Sequence, residues 1–455
     1  GHCGTGGRER GRAIRFEQLK GEYDIFLLTA DDNRPSKIDL PQYVTHLRVA
    51  HEIFYSDYSQ IALSYALIFN IDIAIGFMNL FNGQLDFYEL CNGTSIKTVA
   101  SNHEMYFYPH HNPFYYDLIQ KRIDVFQNVD ASLWLTNFSA AANGLMAKNS
   151  YLMPNPNTYD THKSSQDRES KIILCVGRFN DPVKRIDRML ECFSLVLKTH
   201  PDAKLMLVGK YDKNAPIWPS DETSINDLMK RYNISADTVV FVGEVSDVDT
   251  YYEKASVLIL TSTSEGFGMV INEAACFGVP TVANKIPGLE DLIIEGQNGF
   301  LTEQGDIELM AQHISEILSD KQLRIRLGGN AQNMVQKFDK VEIGERWKFL
   351  INTLLKEPSD VEKRLSSKLA YTMDNYENFS KILLAEFNQV VDINFHERHQ
   401  ILTSGTGSLS AFIAKRAKHD YRKLKRTVKT KGVHKTAVMI AKKAHHTTKR
   451  LYKRS

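Results

Sequence analysis

The chain has 455 residues, 43% of them apolar and 24% charged, the balance of an ordinary globular protein long enough for two or three domains. No run reaches the ~20 consecutive apolar residues of a spanning helix, and five scattered cysteines with no CxxC pair (Cys3, Cys91, Cys175, Cys192, Cys276) argue against a disulfide framework and a structural zinc site and fit a reducing compartment. The net charge of +2 conceals a division: residues 411–455 carry 16 Lys/Arg against Asp420 alone, so the tail stands at +15 and the remaining 410 residues at −13.

The chain opens on a glycine-rich stretch, GTGGRER, and turns helical from Arg10, with Ala13, Ile14 and Leu19 as apolar positions. Such a loop normally joins a buried strand to a helix, because glycine tolerates positive φ and close backbone approach. Strands are expected at 23–30, 71–77, 96–101 and 131–136, with helices at 57–69 and 114–127 between them. Near-continuous apolar strands separated by helices indicate a parallel sheet covered on both faces. The polar stretch 161–170 reads as part of a linker.

The pattern then restarts. Strands are expected at 171–177, 204–209, 238–243, 256–262 and 280–284, alternating with helices at 184–199, 222–232 and 247–254. The second unit is therefore a doubly wound α/β domain as well, and ligands in such sheets bind at the carboxyl ends of strands. Helix is expected over 306–356 and a polar amphipathic extension over 357–403, followed by a flexible SGTGS break at 404–408. Beyond it, Ile413, Ala417, Tyr421, Leu424 and Val428 form one apolar stripe and Val433, Ala437, Ile440, Ala444 and Leu451 another, each beside a basic face. The expected domains are 1–157, a linker at 158–170, 171–356, the helical extension 357–410 and the basic tail 411–455.

The chemistry concentrates in SVLILTSTSEGFGMVINEAACFGVP. A strand ends at Ser262, a loop carries Glu265, and Gly266, Phe267 and Gly268 lead into a helix holding Glu273. Open backbone N–H groups at a helix N-terminus suit a diphosphate, and a carboxylate such as Glu273 can accept from the adjacent hydroxyls of a ribose. Arg178 and Lys184 follow the first strand of the second unit, where two cations would neutralise that diphosphate. In the first unit His103 falls directly after a strand. Taken singly, each of these charges is more often a solvated surface group. Their convergence on one strand-end mouth favours the functional reading.

The E-x7-E pair Glu265/Glu273, together with VGRFNDPVKRID, FVGEVSD, GVPTVANKIPGLEDLI and EGQNGFL, resembles the nucleotide-binding half of family-4 glycosyltransferases of the GT-B fold. The likeness is dense over 171–302 and thinner over the rest of 1–356. It implies two facing Rossmann-like domains and retaining transfer of a hexose or N-acetylhexosamine from a nucleotide-diphosphate sugar to a cell-surface glycan or lipid-linked acceptor, with no cofactor and no obligatory metal. By this resemblance Arg178 and Lys184 hold the diphosphate and Glu273 the ribose. Glu265 and the backbone of Gly266, Phe267 and Gly268 meet sugar and phosphates, and the backbone from Val242 to Val245 lies near the base. His103 stands near donor sugar and acceptor, and Gly6 and Gly7 face the cleft. A metal site at His103, His110 and His111 is disfavoured by its spacing.

In the family, GG-x-E-R follows a first strand, so the resemblance implies about 8–15 further residues ahead of Gly1, a strand and its lead-in. The tail suits docking on an anionic bilayer, which places the chain in the cytoplasm or on the inner face of a membrane; nucleic-acid binding is the weaker reading, since only Phe412, Tyr421 and Tyr452 interleave the charges. Rival functions are a nucleotide-sugar epimerase or phosphorylase on the same scaffold, and a non-catalytic partner subunit. A dinucleotide-dependent dehydrogenase is disfavoured because no G-x-G-x-x-G follows a strand with an acidic residue ~20 further on.

Overall fold

The structure, a computed structural model, describes residues 7–356 apart from 32–39, 79–81, 93, 104–115, 145–146, 148, 162–169, 213, 219–220 and 246. The calls on Gly6, His110, His111, the 357–410 extension and the 411–455 tail lie outside the described residues.

The described chain divides into two compact units, one built from 21–153 with 347–356 and the other from 7–20 with 154–346. Helix α1 (Gly7–Leu19) therefore clusters with the second unit. The first unit runs β1 (Ile25–Asp31), β2 (Val44–Ala50), α2 (His51–Ile68), β3 (Ile73–Met78), α3 (Asn82–Cys91), β4 (Lys97–Asn102), α4 (Tyr116–Asn128), β5 (Ala131–Trp134), α5 (Asn137–Gly144) and β6 (Ser150–Leu152). Every strand pairing in it is parallel, in two sheets of order β1-β2 and β3-β4-β5-β6. Helix α2 covers both, because Ala62, Leu63 and Ala66 join one apolar cluster with Leu28 of β1, Ala74 of β3 and Ala100 of β4.

The second unit runs β7 (Ile172–Val176), α6 (Ile186–Thr199), β8 (Lys204–Val208), the antiparallel ribbon β9 (Pro216–Trp218) and β10 (Asp221–Ser224), α7 (Ile225–Arg231), β11 (Val239–Gly243), α8 (Asp249–Lys254), β12 (Val257–Leu260), α9 (Met269–Cys276), β13 (Thr281–Asn284), β14 (Gly299–Thr302), α10 (Ile307–Ser319), α11 (Lys321–Val335) and α12 (Lys340–Lys356). Its parallel sheet has the order β11-β8-β7-β12-β13-β14. The chain starts at the centre, winds out one way, returns and winds out the other. The reversal lies between β7 and β12, and a doubly wound sheet opens its ligand crevice at the carboxyl ends of that strand pair. The central strands are buried on both faces: β12 and β13 have no residue outside the core, and Ile173, Leu205, Leu207, Val257, Ile259 and Val282 pack with Ile186, Leu190, Phe193 and Ile314. Cys91, Cys175, Cys192 and Cys276 are buried and free, and among the described residues no helix is long and apolar enough to cross a membrane.

Candidate donor site of the second unit

Both crossover strands end in loops sewn to each other. After β7, the Asp181 carboxylate accepts the Val183 N–H at 3.1 Å and closes a short 3-10 turn over Pro182–Lys184. Arg185 then takes a left-handed conformation (φ 49°), which delays the start of α6 to Ile186. The loop after β12 fastens this turn: Thr263 donates its N–H to the Val183 carbonyl at 2.9 Å, and the Thr261 hydroxyl donates to the Lys184 carbonyl at 2.9 Å. Lys184 and Glu265 are thereby held face to face, with Nζ 2.6 Å from Oε1 and both side chains mostly buried. Burial pulls the Lys184 ammonium down, but the charge and hydrogen bond of Glu265 outweigh it, and its pKa stands above the ordinary value.

Arg178 is 74% exposed and tethered to Asp181 at 2.9 Å, free to turn toward an anion outside the mouth. Gly268, at φ 82°, precedes α9, and no side chain caps that helix; an uncapped N-terminus with its dipole is suited to phosphate oxygens. Phe267 turns its ring inward against Phe338, centroids 5.3 Å apart at 89°, which leaves its backbone as its contribution. Gly243 (φ 87°) is the last residue of β11, and half-buried Val245 follows two residues on. Gly7 is the first residue of α1. In the first unit His103 sits after β4, with Nε2 3.0 Å from the Ser101 hydroxyl and its ring edge-on to Phe77 at 5.2 Å.

Glu273 is placed differently from the sequence reading. Its side chain has no exposed surface, and both oxygens are engaged inside the protein. Oε1 accepts from Arg10 Nη2 at 2.5 Å and from the Thr158 hydroxyl at 2.8 Å, and Oε2 accepts from the Tyr252 hydroxyl at 2.8 Å. A vicinal diol that gives both its hydrogen bonds to this carboxylate must displace one of those donors. Burial lowers the Arg10 guanidinium, but Glu273 more than offsets it and the net shift is upward; burial and the neighbouring Glu273 carboxylate hold the Tyr252 phenol well above its ordinary range. Sequence reasoning missed Arg10, Thr158 and Tyr252. The E-R of GTGGRER and the second tyrosine of YYEK carry no spacing that announces a shared partner.

Among the described residues no group of three or more His, Cys, Asp or Glu side chains gathers as a metal site would require.

Residues 158–334 match the family model of glycosyl transferases group 1. The chain is 29% identical over 231 residues to an uncharacterized glycosyltransferase of Haemophilus influenzae, covering 50% of this chain and 61% of that one. It is also 29% identical over 218 residues to the capsular polysaccharide biosynthesis glycosyltransferase CapM of Staphylococcus aureus, covering 48% and 54%. The matched stretch thus spans between half and two thirds of these relatives' length. Among solved structures, a sucrose-phosphate synthase of Thermosynechococcus elongatus superposes with a TM-score of 0.64 at 21% identity, covering 77% of this chain and 94% of that one. Anabaena HepE in complex with UDP superposes at 0.62 and 18%, covering 76% and 96%. The fold is GT-B.

Proposed function

We propose that this chain, which carries a group 1 glycosyltransferase domain over residues 158–334, transfers a hexose or N-acetylhexosamine from a nucleoside diphosphate sugar to a glycan or lipid-linked acceptor, with retention of configuration. The observation that supports it is the Lys184–Glu265 pair, 2.6 Å apart at the crevice between β7 and β12 and beside the uncapped start of α9. A cation, a row of backbone donors and a carboxylate are what a sugar diphosphate needs in sequence along its length.

In this reading Lys184 and Arg178 take the diphosphate, together with the backbone from Gly266 to Gly268. Glu265 orients sugar hydroxyls and forms no covalent bond. The acceptor hydroxyl attacks the anomeric carbon on the face the diphosphate leaves. The carbon–oxygen bond to phosphate breaks as the new glycosidic bond forms, and the hydroxyl proton passes to a phosphate oxygen of the departing nucleotide. Lys184 stabilises the charge that collects there, so no obligatory metal is invoked. His103 is the first unit's candidate for a hydrogen bond to the acceptor.

The test is a thermal shift of the full chain against UDP-, GDP- and ADP-sugars, followed by NMR of the product anomer. A ligand that binds only the folded state stabilises it by about 2.7 kcal/mol at a hundredfold excess over Kd. One nucleotide series is expected to raise the melting temperature and to give a product of the donor's own anomeric configuration. No shift with any series would transfer the assignment to a non-catalytic partner, and free sugar without acceptor would point to a hydrolysing epimerase.

The tail is proposed to hold the enzyme on an anionic membrane face, since clustered cations contribute ~1 kcal/mol each near such a surface. Deleting 411–455 is expected to abolish cosedimentation with phosphatidylserine vesicles and to leave donor binding intact. Unchanged cosedimentation would remove the tail from that role.

A further inference from the structure

The carboxylate of Glu273 is mostly taken up inside the protein. It has about four lone-pair positions, of which Arg10, Thr158 and Tyr252 occupy three, and it has no exposed surface. A vicinal diol donating two hydrogen bonds needs at least one of these donors to leave.

The three are not equally held. Tyr252 is wholly buried, stacked on Phe277 at 5.5 Å and 17° and edge-on to Tyr159 at 6.3 Å. Thr158 rides on a backbone pinned by its neighbour Asn157, whose N–H donates to the Phe338 carbonyl and whose amide donates to the Val335 carbonyl, both at 2.8 Å. Arg10 differs. Its side chain keeps 25% of its surface in solvent, and its pairing to Glu273 runs through Nη2 alone while Nε is buried without a partner. A guanidinium engaged through one N–H holds less firmly than one engaged through two parallel N–H groups, and Arg10, already partly in solvent, regains hydration when it leaves. The rest of α1 is anchored independently: Arg15 and Phe16 are buried, Arg15 reaches Asn155 at 3.4 Å, and a Cβ on Gly344 of α12 would fall 2.7 Å from Gln18. These anchors all lie beyond the first turn of α1.

We propose that Arg10 is a latch on the nucleotide site: its guanidinium stands on Glu273 in place of a ligand's vicinal diol, and a nucleotide with both ribose hydroxyls exchanges with it. The inference rests on the nucleotide-sugar reading above and adds a residue from outside the matched 158–334 segment. A ligand shifts such an equilibrium only by its differential interaction with the two states. The diol supplies that difference, because it can replace the hydrogen bond Arg10 gives up.

The test is a cycle of four affinities in the full chain. Whichever of UDP, GDP and ADP binds is compared with its 2′,3′-dideoxy counterpart, in the wild type and in Arg10→Met. The charge lost in the variant affects both diphosphates alike and cancels in the ratio of their dissociation constants. The preference for the diol-bearing nucleotide is expected to rise about tenfold in Arg10→Met, within the usual span of coupling energies, and to vanish in Glu273→Gln in either background. Arg10→Gln repeats the comparison should the methionine variant melt too low to measure. An unchanged or reduced preference would make Arg10 a positioning residue that holds Glu273 for its ligand, and would overturn the latch. If no nucleoside diphosphate binds the wild type, the nucleotide-sugar reading itself fails and the latch fails with it.

Discussion

Lys184→Ala is expected to lower kcat for sugar transfer by roughly 10²–10³-fold, the usual effect of removing one donor aimed at charge that develops in a transition state. Lys184 is placed for this by the backbone, since its carbonyl and that of Val183 are both tied to the β12 loop. The same substitution also leaves Glu265, 14% exposed, without its partner, and breaking a largely buried pair from one side costs about 3 kcal/mol or more. Stability and catalysis can be separated by Lys184→Met with Glu265→Gln. The double variant removes both charges and should recover most of the lost melting temperature while remaining inactive. Because Glu265 raises the Lys184 pKa above the ordinary 10.5, the stability that the charged lysine contributes is complete at neutral pH and is lost as pH climbs through that raised value. Near-normal turnover of Lys184→Ala would remove this lysine from the site.

The second unit was the more legible half. Its strands β7, β8, β11, β12 and β13 are apolar runs of β-branched and aliphatic residues closed by Gly, Ser or Asn, and such runs sit within a residue or two of where the pattern puts them. The helix expected from 184 begins at Ile186 because Pro182 opens a 3-10 turn and Arg185 goes left-handed. The helix expected from about 222 begins at Ile225 because Asp221–Ser224 is a strand and Ser224 forms a capping box with Asp227. Short or polar elements escaped: β2 interleaves His46 and Arg48 with its apolar residues, the β9–β10 ribbon is three and four residues long, and β14 is hidden in GFLT. For the site, Lys184 and Glu265 were readable from their distance to a strand end, a local property. The Arg10–Glu273 bond joins residues 263 apart, and nothing local encodes where a helix docks on a distant one. A periodic pattern states which face is buried and leaves its partner open.

Gly209→Ala is expected to destabilise the second unit by about 2–6 kcal/mol, the sum of backbone strain and overpacking. Three strands end in glycine at one level, Gly177 after β7, Gly209 after β8 and Gly243 in β11. They are linked by the Gly177 N–H donating to Val208 at 3.0 Å and the Gly209 N–H donating to Gly243 at 2.8 Å. Gly209 has φ 133°, and a Cβ there would lie 2.0 Å from the Gly177 carbonyl oxygen, which is backbone and cannot turn aside. The contact can be relieved only by pushing apart the ends of β7 and β8. That displaces the segment beginning at Gly177, which carries Arg178 and, through the Asp181 turn, Lys184. Gly177 itself has room, since its added Cβ would meet only the Lys184 stem at 3.7 Å. Gly177→Ala is therefore the control, with a melting temperature close to that of the wild type. Denaturant melts of the two variants decide the matter. Equal midpoints would show that the strand ends give way freely, and the rigid placement of Lys184 would then need another source. A large gap, with donor binding lost in Gly209→Ala well below its melting temperature, would show that this glycine level sets the position of the cationic side of the site.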